Sequence, residues 1–258
     1  MNRHFSLRFL ATIISGFLPL TAGAAESAPD LAAALRAKEA GSTFVRVRMQ
    51  VGSGENQVLQ LQIKSRVSDA TSDIVYQVLF PKERKGESVL LHRSGEKFNG
   101  SALTGNTVKS IAADQMKQPL FGSDLSYEDI IDNPFRWSQQ AVVGNEPVDN
   151  IPCQILESKP GKHSSSYASV KTWVDPRRLV PLRIEKYDSS GKLVRRINIT
   201  RVLLDGNDSL PADLKVYGPR GTVTEITGSR IKRGLNYPDT EFTPDGLKQL
   251  NAPAGSPQ

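Results

Sequence analysis

Cysteine is almost absent, with one residue, Cys153, in 258. A lone thiol builds no internal disulfide framework, so stability has to come from a packed core. Set in Ile151-Pro152-Cys153-Gln154-Ile155-Leu156, it reads as a small buried hydrophobe on a strand. Histidine is nearly as scarce: there are three, and none has a second histidine at i+4, the spacing of a helical metal pair. The sequence has no G-x-S-x-G elbow and no glycine-rich phosphate loop. No catalytic residue, metal or cofactor is expected, and the chain reads as a non-enzyme. Aromatics make up 7% of it, and its densest basic groups, residues 82–85 and 230–233, carry no interleaved rings on which bases could stack. Nucleic acid is therefore not an expected partner.

Long apolar runs are missing as well. The first candidate, residues 9–20, is interrupted by Ser15, Gly16 and Pro19, and is too short for a span of about 20 apolar residues. Arg3 and Arg8 before it and Ala22-Gly23-Ala24 after it complete the pattern of a secretory signal peptide. Cleavage is expected after Ala24, with Ala25 as the close alternative, giving a leader over 1–24. No cysteine lies near the cut, so the product is not expected to be a lipoprotein itself. Residues 25–258 then form one soluble, exported domain, with 251–258 as a frayed tail. That domain holds 31 basic and 27 acidic residues, a mild and dispersed excess.

What the sequence does contain is alternation. After a helix expected over 27–39, the period changes to two. Val45, Val47, Met49 and Val51 alternate with Arg46, Arg48 and Gln50, and Leu59, Leu61 and Ile63 alternate with Gln60, Gln62 and Lys64. These are strands with one dry and one wet face. Gly52-Ser53-Gly54 supplies the turn between them. Ile74, Tyr76, Val78 and Phe80 repeat the pattern, and about eleven strands can be counted, nearly all joined by short turns. Short connections imply an antiparallel meander.

Residues 104–138 interrupt it. Val108, Ile111, Ala112 and Met116 have helical spacing, and Ser126-Tyr127-Glu128-Asp129 reads as a capping box opening a short helix over 127–132. Asp124, Glu128, Asp129 and Asp132 offer oxygens of the kind calcium uses, but their spacing fits no calcium loop, and capping accounts for Ser126 and Asp129. A further helix start is expected at 242–245, with Leu247 and Leu250 inward. The fold class is thus mainly β (α+β): a large, curved antiparallel sheet with apolar residues on its concave face and a few helices against it.

Several segments in order also resemble a known family. Phe121-Gly122-Ser123-Asp124-Leu125-Ser126-Tyr127-Glu128-Asp129 is similar to a "GSD-x-SYED" element of the bacterial outer-membrane lipoprotein-sorting, or LolA-like, proteins. Pro152-Cys153-Gln154-Ile155-Leu156 resembles their "PCY-x-L-E" strand. Thr172-Trp173-Val174-Asp175-Pro176 with Val180-Pro181-Leu182-Arg183-Ile184-Glu185 resembles a hairpin, and the turn over 188–195 and the Phe242-Thr243 ending follow in order.

The resemblance implies a half-open, curved antiparallel β-barrel with a few covering helices, LolA/LolB-like, that shelters lipid in the periplasm: a carrier of lipid or acylated lipoprotein cargo, with transient membrane contact and an inner-membrane exporter as a further partner. On it, Val45, Val47, Met49, Leu59, Leu61, Ile63, Tyr76 and Val78 line the hollow, and Val108, Ile111, Met116, Leu125 and Tyr127 belong to a lid. A packed core would produce the same pattern at those eight positions. The rival readings are a sensor or adaptor of the same fold docked on a membrane protein, and an envelope-lipid enzyme using His92.

Overall fold

The computed structural model describes residues 27–52, 57–162, 164–219 and 221–249. The expected leader, part of the first hairpin turn, His163, Leu250 and the 251–258 tail lie outside the described residues. Ser27 caps helix α1 (Ala28–Glu39), with Pro29 in its first turn, and Leu31, Ala32 and Leu35 form its buried stripe.

Thirteen strands follow. The first six are β1 (Gly41–Gly52), β2 (Gln57–Val67), β3 (Thr71–Phe80), β4 (Ser88–Ser94), β5 (Lys97–Thr104) and β6 (Thr107–Ile111). Helix α2 (Tyr127–Ile131) and short 3-10 turns occupy the interruption. Then come β7 (Gln139–Asn145), β8 (Gln154–Lys159), β9 (Ser169–Asp175), β10 (Val180–Tyr187), β11 (Leu193–Asp205), β12 (Asp208–Tyr217) and β13 (Val223–Arg233). All belong to one curved, open antiparallel sheet in the order β6-β5-β4-β3-β2-β1-β13-β12-β11-β10-β9-β8-β7. The first and last strands pair at its centre, and its two edges, β6 and β7, are neighbours in sequence.

Thirteen strands replace the eleven expected. The chief correction falls at Val108, expected on a lid helix and found on edge strand β6, opposite Leu103. Apolar residues three apart fit a helical face, but on a strand they point to opposite sides. Accordingly Ile111 faces inward and Val108 outward. The capping box is present: Ser126 Oγ accepts from the Asp129 amide at 3.2 Å, and Asp129 Oδ2 accepts from the Ser126 amide at 2.6 Å.

The inner face is continuous across the junction of the halves, where Ile199, Leu214, Ile226, Met49 and Leu59 stand opposite one another in successive pairs. The outer face of β2–β4 corrects a second expectation. Gln62 and Lys64, assigned to a wet face, are both 1% exposed. The C-terminal segment lies over them as a strap. Lys64 Nζ meets Glu241 at 2.5 Å, Gln77 Nε2 donates to the Leu247 and Gln249 carbonyls, and Leu247 packs on Val75 and Leu90. Two short 3-10 turns, not one helix, form this strap.

Candidate functional site

The covered inner face is the candidate site. Met49, Leu59, Leu61 and Val78 are fully buried there and Val47 nearly so, with Val45, Ile63 and Tyr76 packed beside them. All eight positions singled out from alternation therefore share one cluster. Alternation finds them because a strand exposes one residue in two to each face.

The cover is the segment 112–131. Of the five expected lid residues, Ile111, Met116 and Tyr127 join this cluster, together with Leu120 and Ile131. Leu125 packs instead on Ile197, Ile199 and Val216 of the other half-sheet. Val108, on the outer face, takes no part. The covering segment is folded on itself: the Leu120 amide donates to the Leu125 carbonyl, and the Glu128 amide to the Met116 carbonyl. Phe121 sits at positive φ (50°) at its tip, beside Arg84, a backbone region that costs an L residue energy.

Polar side chains fasten this cover to the β7–β13 half. The Asp129 carboxylate is wholly buried, meets Lys186 Nζ at 2.7 Å, pairs with Arg195, and accepts from the Tyr167 hydroxyl at 2.7 Å. Burial alone would raise its pKa, but Lys186 and Arg195 outweigh that and hold it well below the usual carboxylate range. Asp124 accepts from Thr224 Oγ1 at 2.8 Å and from Thr222 Oγ1, and the missing side chain of Gly218 leaves room for its carboxylate. Glu128 accepts from Ser165 Oγ at 2.7 Å, the Ser166 amide at 2.8 Å and Ser166 Oγ.

Asp124, Glu128 and Asp129 thus act as fasteners, and no group of three or more His, Cys, Asp or Glu able to hold a metal occurs among the described residues. Reading residues 124–129 locally supplied the cap but not these partners. A signal did exist: Lys186 shares strand phase with Ile184, and Arg195 with Ile197 and Ile199, so both cations sit where the pattern calls for inward apolar residues.

Two cavities open beside the cover. One, of about 810 Å³, lies among Arg93, Arg136, Trp137, Lys162, Asp69 and Glu96. The second, of about 550 Å³, has Phe98, Met116 and Ile131 among its apolar lining and Glu96, Glu128, Asp132, Lys97 and Lys117 among its charged lining. His92 is not in either. It lies in the outward phase of β4 with Leu90, and its Nδ1 is 2.5 Å from Asp73 Oδ1. Cys153 is buried with Trp173, Val180 and Leu182, and burial raises its thiol pKa. It precedes β8 rather than lying on it.

A family model described as "Uncharacterized protein" matches residues 72–249, more than half of the chain. No curated protein matches. Solved structures do. A DUF1329 family protein from Desulfovibrio piger is 21% identical with a TM-score of 0.80, covering 85% of this chain and 97% of its own. A domain named for outer membrane lipoprotein sorting, from Vibrio parahaemolyticus, is 19% identical with a TM-score of 0.76, covering 84% and 97%. A LolA superfamily protein from Nitrosomonas europaea is 19% identical with a TM-score of 0.69, covering 85% and 98%. The chain belongs to the family of that model, and it carries a LolA-like fold.

Proposed function

We propose that this protein is a periplasmic carrier that shelters acyl chains of a lipid or acylated lipoprotein between the inner and outer membranes, with no covalent chemistry. Val45, Val47, Met49, Leu59, Leu61, Ile63, Tyr76 and Val78 are its acyl-binding surface, and the segment 112–131 is its lid. The carrying observation is how that surface is covered. Its apolar cover is a five-residue helix and single turns, held to the far half-sheet by side-chain contacts through Asp124, Glu128 and Asp129.

The physical need is plain. Each acyl methylene removed from water gains about 0.8 kcal/mol, so a chain of about 16 carbons resists the aqueous gap by roughly 12 kcal/mol. Moving the lid aside would expose Ile111, Met116, Leu120 and Ile131 along with the surface beneath them. An acyl chain entering that space restores the burial, so the exchange is nearly balanced and reversible, as a carrier requires. An inner-membrane exporter is the further partner this reading carries. His92, the residue first suspected of chemistry, lies on the opposite face of the sheet from this surface.

Native mass spectrometry of protein purified gently from the periplasm, with organic extraction of what accompanies it, tests the reading. An adduct of lipid mass is expected. A bare chain mass that persists after incubation with membrane lipids would overturn it and favour the sensor or adaptor.

A further inference from the structure

The cavity among Arg93, Arg136 and Lys162 has an arrangement that core packing does not require. Arg93 is 3% exposed, yet makes no ion pair among the described residues. Its guanidinium donates to the Gly95 carbonyl at 3.1 Å, to Ser72 Oγ at 2.9 Å and to the Ser68 carbonyl at 3.3 Å. Arg136 donates to that same Ser68 carbonyl at 2.5 Å and to the Asp69 carbonyl at 2.6 Å. Two guanidinium groups therefore share one neutral oxygen, and the Nε of each has no partner. The carboxylate nearest Arg136, that of Asp69 at 3.6 Å, is 91% exposed and so screened by water. Like charges held this close favour an anion between them, and guanidinium forks suit phosphate oxygens.

Carboxylates line the cavity as well: Asp132, which accepts from Trp137 Nε1 at 3.3 Å and acts electrostatically on Arg93, and the exposed Glu96. Glu96 and Asp132 line this cavity and also the second one, whose apolar side, Phe98, Met116 and Ile131, is part of or packs against the inner cluster. A molecule occupying both would carry a phosphate, a neighbouring cation, and hydrocarbon beyond them.

Resting on the carrier reading above, we propose that the cargo is a glycerophospholipid with a zwitterionic headgroup. Its phosphate sits against Arg93 and Arg136, its ammonium against Asp132 and Glu96, and its acyl chains pass beside Met116 under the lid. An acylated peptide has no phosphate and could meet the arginine pair only through a carboxylate.

The test compares three lipids with identical acyl chains, phosphatidylethanolamine, phosphatidylglycerol and diacylglycerol, by native mass spectrometry and competition against a fluorescent fatty acid. Phosphatidylethanolamine should bind about tenfold more tightly than diacylglycerol, the scale of one charge-assisted contact. Arg136→Gln should erase that preference without changing diacylglycerol binding, and Arg136→Lys should restore part of it. Asp132→Asn should bring phosphatidylethanolamine down to the level of phosphatidylglycerol. Lys162→Gln, at an exposed rim position, should weaken both phospholipids and serves where Arg136→Gln fails to fold. Equal affinity for all three lipids, or an equal loss of all three in a folded Arg136→Gln or Lys162→Gln protein, would overturn the headgroup site while the carrier stands. Failure of every lipid to bind would overturn the carrier as well.

Discussion

Replacing Asp129 with asparagine removes one negative charge from the best-buried point of the lid. Its side chain is 0% exposed, and the two cations facing it, Lys186 and Arg195, are 6% and 12% exposed. Asparagine keeps the size and part of the hydrogen bonding to Ser126 and Tyr167, but takes from Lys186 and Arg195 the carboxylate they share, leaving Arg195 only Asp124 nearby. Breaking a buried ion pair from one side costs about 3–5 kcal/mol. For a chain of this size that is a fall in Tm of roughly 6–20 °C. The loss should concentrate where the carboxylate acts, so amide exchange should accelerate across 112–131 more than in β1–β3. Adding Lys186→Met to Asp129→Asn should recover part of the loss by removing one orphaned charge. A variant melting within about 1 kcal/mol of wild type would refute the reasoning, since the cluster would then behave as a solvated surface pair. The pH dependence follows with a definite sign. The folded-state pKa of Asp129 lies below its unfolded value of about 3.9. Its stabilisation is therefore complete above that value and declines as pH falls toward the folded pKa. The lid should remain fastened at pH 5 and loosen only in stronger acid.

Three further outcomes are expected. Leu61→Ala, at a fully buried inner-face position, should cost about 2–5 kcal/mol in urea unfolding, and Leu61→Asn should abolish lipid binding in whatever fraction still folds; unimpaired binding there would remove Leu61 from the acyl surface. Glu241→Gln should destabilise the strap because it leaves Lys64 buried and unpaired, and Lys64→Met should be milder; the reverse order in thermal melts would contradict the assignment. Gly100→Ala would place a Cβ 2.6 Å from the Leu90 carbonyl oxygen, and should cost about 1–3 kcal/mol by overpacking; an unchanged melting curve would count against that close approach.

Local regularity explains what could be read directly from the residues. Val45 to Met49 and Leu59 to Ile63 declare their faces because a strand repeats every two residues, and Ser126 with Asp129 declares a helix start because both partners lie in one turn. What escaped depends on distant contacts. Gln62 and Lys64 look solvated until residues 237–249 cover them, an encounter between parts of the chain nearly the full domain apart. Val108 was misplaced because three-residue spacing suits a helix as well as two faces of a short edge strand. The charged fasteners on β10 and β11 were visible only as exceptions to the inward phase. The arginine pair gave no local sign, since Arg93 and Arg136 meet only through the turn at Ser68.

The strand order also has a consequence for how the chain folds. Each half-sheet, β1 to β6 and β7 to β13, is a run of neighbours joined by short turns, so each can assemble from contacts close in sequence. Only the β1–β13 ladder, which sets Val45 beside Ile231, joins them through the sheet, and it must wait for almost the whole chain to be available. Such non-local pairing slows folding, because loop entropy is lost before the contact rewards it. The slow step should therefore be the docking of two preformed meanders, and during it the inner faces of both would be open to any amphiphile nearby.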